Sequence, residues 1–189
     1  MKKRIVSLLL ALLMAALLVP VQALAATVAS GSCGDKGSNV RWSLDTNGVL
    51  TISGTGRMAD YEILYIRGED GKLTSTGKTN APWEELREQI KSLVVNAGVQ
   101  SIGDYAFYGC KNLSGDIRLP FGITSIGNQA FMSCGMENVY LPESVDHIYD
   151  YAFSGCMALV SVEMPSRMTT LAEGAFRRDE KLQSIVVPA

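Results

Sequence analysis

The sequence predicts a β-rich solenoid: short coils stacked on a parallel sheet, preceded by a small β-hairpin cap. Three observations carry this. First, one motif recurs at Ile102-Gly103-Asp104-Tyr105-Ala106-Phe107, Ile126-Gly127-Asn128-Gln129-Ala130-Phe131, Ile148-Tyr149-Asp150-Tyr151-Ala152-Phe153 and Leu171-Ala172-Glu173-Gly174-Ala175-Phe176. Its phenylalanines, Phe107, Phe131, Phe153 and Phe176, follow one another at a nearly constant step. Second, each unit carries a short apolar alternation, and four of the five runs end at a proline. Third, the stretch before the repeats holds an Asn47-Gly48 turn between two alternating runs.

From the beginning of the chain, residues 1–25 read as a signal peptide. Lys2, Lys3 and Arg4 form a positive start, and Leu8 to Val19 form an apolar run too short to span a bilayer comfortably. Ala23-Leu24-Ala25 supplies small residues where a signal peptidase needs them, so the mature chain is expected to begin near Ala26. The formal net charge is −2, and losing those three cations (−2 less 3) would leave −5. No second apolar stretch is long enough to cross a membrane. The overall balance is not the basic one that nucleic acid requires, so no nucleic-acid partner is expected.

Residues 26–89 are read as an N-terminal hairpin and capping region. Val40, Trp42 and Leu44 alternate, Asp45-Thr46-Asn47-Gly48 turns, and Val49-Leu50-Thr51-Ile52 returns. Asn and Gly tolerate the positive φ that such a turn requires. A second hairpin is expected around Asp70-Gly71, within residues 62–80. Pro82, Glu84 and Glu85 then open a short helix, being residue types that a first helical turn favours. This region is expected to cover the first coil, because an open solenoid end exposes its core.

Residues 90–189 form about four to five rungs. The alternating runs are Leu93-Val94-Val95, Ile117-Arg118-Leu119, Val139-Tyr140-Leu141, Val162-Glu163-Met164 and Ile185-Val186-Val187. Period 2 makes each a strand with one face inward. Pro120, Pro142, Pro165 and Pro188 stop the later four, since proline donates nothing to a ladder. A second apolar pair follows in each unit: Val99/Ile102, Ile123/Ile126, Val145/Ile148 and Met168/Leu171. Ala-Phe-x-x-Cys then reads as a helical turn on the far side. One coil cannot bury its own apolar residues, but a stack can. Cys110, Cys134 and Cys156 occupy one repeated position, with Asp179 replacing the fourth. A repeated position is filled for packing, so these read as free buried thiols, with a cysteine pair between adjacent rungs as the minority reading.

These units resemble the BspA-type leucine-rich repeats of bacterial surface proteins, over roughly residues 90 to 188. Gly31-Ser32-Cys33-Gly34-Asp35, Arg41-Trp42-Ser43-Leu44-Asp45, Gly48 to Gly56 and Ala81-Pro82-Trp83 are similar to the leader that often precedes such repeats. The resemblance implies a leucine-rich-repeat solenoid, secreted or at the cell surface, non-catalytic and of binding type. Some relatives are adhesins, but the family has no fixed binding motif to transfer.

In such a fold the outward positions of the main strands make one surface. Here they are Val94, Arg118, Tyr140, Glu163 and Val186 in one column, and Ser92, Asp116, Asn138, Ser161 and Ser184 in the other. At about 4.8 Å per rung the columns span roughly 20 Å. Arg118, Tyr140, Glu163, Asp116 and Asn138 are the candidate binding residues, for an extracellular protein or glycan. Arg and Tyr are types enriched at interface hot spots. No catalytic, metal or cofactor site is expected. His147 is the only histidine, which leaves a Ser-His or zinc site without a partner, and it is expected to face solvent. Gly54-Thr55-Gly56 lacks the rest of a phosphate loop. The apolar run at Ile185-Val186-Val187 is expected to pair with another chain, or to mark a short or truncated member. A structural spacer with no ligand is the alternative to a binding protein, and a secreted hydrolase ranks last.

Overall fold

The computed structural model describes residues 25–168 and 171–187. The signal-peptide reading and Pro188 therefore lie outside the described residues. The described chain begins with an antiparallel meander of β1 (Thr27–Ser32), β2 (Arg41–Asp45) and β3 (Val49–Ser53). The β2–β3 turn closes as its residue types demand. The Asp45 carboxylate accepts the N–H groups of Asn47 and Val49, both at 2.9 Å, and Gly48 has φ +82°. Next come β4 (Gly56–Arg57) and the antiparallel pair β5 (Ile63–Arg67) and β6 (Leu73–Thr79), which forms a two-stranded sheet of its own. The expected short helix is a 3-10 helix at Glu84–Gln89, with Glu84 and Glu85 in its first turn.

Each rung then contributes up to two strands. The main strands are β7 (Ser92–Val95), β9 (Asp116–Arg118), β11 (Asn138–Tyr140), β13 (Ser161–Glu163) and β14 (Ser184–Val186). The second strands are β8 (Val99–Ile102), β10 (Ser125–Ile126) and β12 (His147–Ile148). β9, β11, β13 and β14 form one parallel sheet in strict register, with Ile117, Val139, Val162 and Ile185 aligned. The expectation of five main strands in one sheet needs correction. β7 instead pairs in parallel with β3, so the N-terminal meander and the first rung share a sheet. β4 likewise extends the second sheet by pairing with β8.

The stretch after each second strand is a ribbon of consecutive turns rather than a continuous helix. N–H groups alternate in destination along it. Those of Ala106, Tyr108 and Cys110 bond back within the ribbon to Gly103, Tyr105 and Phe107. Those of Tyr105, Phe107 and Gly109 reach the carbonyls of Asn128, Ala130 and Met132 on the next rung, at 2.8–2.9 Å. The same alternation recurs at Gln129–Cys134 and Tyr151–Gly155. Tyr105, Gln129 and Tyr151 take φ of 50–55° at its start, a non-glycine strain that the repeated cross-rung bonds hold in place.

The core is one column. Phe107, Phe131 and Phe153 are fully buried, and their rings stack at 5.0 and 5.3 Å. Phe176 continues the stack at 5.4 Å but is only half-buried. Trp83 begins it: its indole lies 5.5 Å from Phe107, 13° from parallel, and donates Nε1–H to the Ala106 carbonyl at 2.8 Å. Trp83 thus takes the place that the ring of a preceding rung would have. All four cysteines are free and buried. The Cys134 and Cys156 thiols donate to the Phe107 and Phe131 carbonyls of the preceding rung, at 3.0 and 3.1 Å. Burial pushes the Cys156 thiol up to about 12. In the fourth rung Asp179 takes the cysteine position, and its Oδ1 accepts the Cys156 N–H at 2.7 Å. Its Oδ2 is buried without a partner among the described residues, and burial pushes its pKa up to about 6. Leu171, expected in the core, is exposed, since no described coil stacks on that rung.

The rungs are not uniform in length, and the variation is confined to one corner. From main strand to ring the span is the same in every rung: Leu93 to Phe107, Ile117 to Phe131, Val139 to Phe153 and Val162 to Phe176. From ring to next main strand the span varies. Phe107 to Ile117 is the longest, Phe131 to Val139 the shortest, and Phe153 to Val162 and Phe176 to Ile185 fall between them.

Candidate functional site

The parallel register brings the five sequence-predicted residues onto one face. Asn138 aligns with Asp116 and Ser161, and Tyr140 with Arg118 and Glu163. Period-2 alternation turns their neighbours Ile117, Val139 and Val162 into the core, so these side chains face outward. Val94, expected in the same column, belongs to β7 and so to the other sheet.

The outward side chains form a connected polar set. Arg118 lies over the Tyr140 ring, its Cζ 3.5 Å from the centroid, and donates from Nη2 to Asp116 Oδ2 at 3.0 Å. Asn138 Nδ2 donates to Asp116 Oδ1 at 2.8 Å, and the Ser161 hydroxyl donates to Asn138 Oδ1 at 2.7 Å. The amide of Asn138, with the guanidinium of Arg118 beside it, holds the Asp116 carboxyl below the usual carboxylate range. The arrangement leaves the guanidinium clamped between a carboxylate and an aromatic face. Two long side chains are thereby presented in fixed positions, which lowers the ordering cost of a contact made with them. Glu163 is exposed, with no ion pair among the described residues. The columns were legible from the alternation, but the Ser161-to-Asn138 link was not. Its signal is the cross-rung alignment of two small polar residues.

His147 is exposed, with Nδ1 2.7 Å from Asp146 Oδ1. No group of three His, Cys, Asp or Glu side chains among the described residues could hold a metal ion. No helix among them is long and apolar enough to cross a membrane.

Comparison with known proteins agrees with the geometry. The family described as "BspA type Leucine rich repeat region" matches residues 86–189, in six copies. No protein of curated function matches the chain. Among solved structures, a leucine-rich repeat protein of Eubacterium ventriosum superposes with a TM-score of 0.58 at 26% identity. The match covers 85% of this chain and 45% of that one, so the present chain spans less than half of that relative's length. A leucine-rich repeat protein of Bacteroides ovatus (TM-score 0.45, 22% identity, 77% of this chain and 45% of that one) also matches. So does the leucine-rich repeat protein of T. pallidum (TM-score 0.45, 22% identity, 83% of each chain).

Proposed function

This chain belongs to the BspA-type leucine-rich repeat family, and from that premise we propose that it is a secreted or surface-held binding protein that engages an extracellular protein or glycan. The contact face is the outer side of the main sheet. The observation that carries this reading is the Arg118–Tyr140 stack joined to the Asp116–Asn138–Ser161 hydrogen-bond chain. An Arg on the edge strand and a Tyr on its neighbour, held rigid on an exposed sheet face, are the residue types and the ordering that interface hot spots use. Export follows from the charged start, apolar run and Ala23-Leu24-Ala25 site of residues 1–25. The reading is non-catalytic: the family is one of repeat proteins, and the face offers no converging acid, base and nucleophile.

The test is binding of the purified chain to an array of host matrix proteins, mucins and glycans, repeated with Arg118→Ala and Tyr140→Ala. A saturable interaction weakened at least about tenfold by either change supports the reading. An interaction indifferent to both removes this face from consideration. Absence of any interaction favours a structural spacer with no ligand of its own.

A further inference from the structure

On the other side of the solenoid, at the corner between the turn ribbon and the main strands, runs a groove of about 740 Å³. Its walls come from four successive rungs. Lys111 belongs to the first, Met132 to the second, Met157 to the third, and Arg177, Arg178 and Lys181 to the fourth. This is the corner where the rungs differ in length. Its volume falls within the range of ligand sites.

The cations of this groove form no salt bridges among the described residues, although Arg177 lies beside the Tyr151 hydroxyl that Glu173 accepts. Lys111, Arg177, Arg178 and Lys181 are all exposed. The acids of the same rung are otherwise disposed. Glu173 accepts the Tyr151 hydroxyl at 2.8 Å, and buried Asp179 accepts the Cys156 N–H. Glu180 is exposed and does not line the groove. Four cations thus converge on one concavity of a chain whose formal charge is −2, against the sign of the whole. Such a field concentrates anions locally.

Order along the groove narrows the ligand. A cation stands at the first rung, apolar methionines at the second and third, and three cations at the fourth. At about 4.8 Å per rung the outer charges are roughly 14 Å apart, about four steps of extended peptide at about 3.3 Å each, which also brings residues i, i+2 and i+4 onto one face. Methionine is a deformable apolar surface suited to varied aliphatic side chains. A sugar would need acceptors for its hydroxyls, and of the lining hydroxyls Tyr151 already donates to Glu173 at 2.8 Å. The Ser154 hydroxyl is buried and already donates to the Arg177 carbonyl at 2.8 Å.

We propose that this groove is a second binding site, separate from the main-sheet face, which takes an extended acidic peptide whose alternate residues read acid, apolar, acid (acid–x–apolar–x–acid). The carboxylates meet Lys111 at one end and Arg177, Arg178 and Lys181 at the other, while the apolar side chain between them lies on Met132 and Met157.

The experiment is fluorescence anisotropy with a fluorescein-labelled Glu-Ser-Leu-Ser-Glu peptide flanked by Gly-Ser linkers. Comparison probes are the same peptide with Gln for both Glu, the same peptide with Gly for Leu, and a sulfated oligosaccharide. Saturable binding of the first peptide is expected, weaker by at least about tenfold for each altered peptide and falling with added salt. Arg178→Glu combined with Lys181→Glu is expected to abolish it, with the far-UV circular dichroism spectrum confirming the fold. Met132→Ala combined with Met157→Ala is expected to weaken it without removing the salt dependence. Arg118→Ala is expected to leave it unchanged, which separates this site from the main-sheet face. No saturable binding, equal binding of the Gln peptide, or indifference to the charge reversal overturns the proposal. Binding of the oligosaccharide alone overturns it in favour of a sulfated glycan.

Discussion

Replacing Phe131 by alanine removes the middle ring of the core column. Phe131 is fully buried, with Phe107 stacked on one face at 5.0 Å and Phe153 on the other at 5.3 Å. An aromatic side chain of this kind buries roughly 200 Å². At ~25 cal/mol per Å² that is about 5 kcal/mol, of which the alanine methyl retains about 1. The two ring pairs add about 1–2 kcal/mol between them, and partial collapse of the cavity offsets some of this. The expected loss is about 4 kcal/mol, a large part of the ~5–15 kcal/mol that holds a domain folded. Phe176 has one ring neighbour and is half-buried, so Phe176→Ala should cost about 1–2 kcal/mol. Urea denaturation followed by circular dichroism compares the two at constant m-value. A loss below about 2 kcal/mol for Phe131→Ala, or equal losses for both variants, would refute a column whose strength lies in its interior pairs.

Asp179 should make stability depend on pH. Its folded pKa, about 6, lies above the ordinary value of 3.8, so its contribution is fully present below pH 3.8 and is lost as pH rises towards and through 6. Asp179→Asn should therefore flatten the decline between pH 4 and pH 6 and raise the melting temperature at pH 7; an unchanged slope contradicts this. Because the group retains some solvent screening, about 1–2 kcal/mol is expected at neutral pH. Gly103→Ala would drive a Cβ into the Ala59 carbonyl and should cost more than about 2 kcal/mol, whereas Gly115→Ala meets only its φ of +75° and should cost about 1. Matching urea midpoints for the two would show that the capping region does not pack as described. The buried thiols, Cys156 and Cys33 at about 12, should resist iodoacetamide at pH 8 in the native chain and yield four labelled cysteines after denaturation by mass spectrometry. Stoichiometric native labelling would contradict the burial.

The repeats were legible because the same side chains recur at the same offsets. Phe107, Phe131 and Phe153 declare one column, and the alternation around Ile117, Val139 and Val162 declares which side chains face outward. Trp83 was not legible as the first member of that column, because it arrives from a different element with no shared motif. The β3–β7 and β4–β8 pairings were equally hidden: Gly56–Arg57 is too short to show a period, and nothing in Val49–Ser53 names its partner. Met168/Leu171 continued the apolar pattern, yet Leu171 is exposed, since pattern records which face a side chain takes and not whether anything covers it. Of the main-sheet face, the columns could be read, but the Arg118–Tyr140 stack depends on side-chain direction. The groove could not be read at all, because Lys111 and Met157 share one offset from their phenylalanines while Met132 and Lys181 take two others, so no repeated motif marks its walls.

The constant span from strand to ring, against the variable span from ring to next strand, separates two demands on the molecule. Every cross-rung bond of the turn ribbon and every strand register falls in or beside the fixed segment. A residue gained or lost at the corner shifts neither ladder. The outline of the groove can therefore be redrawn by insertion and deletion while the column of rings stays in place. Loop grafting at this corner is an engineering route that spares the scaffold, and the same segment is where divergence in length between related chains should gather.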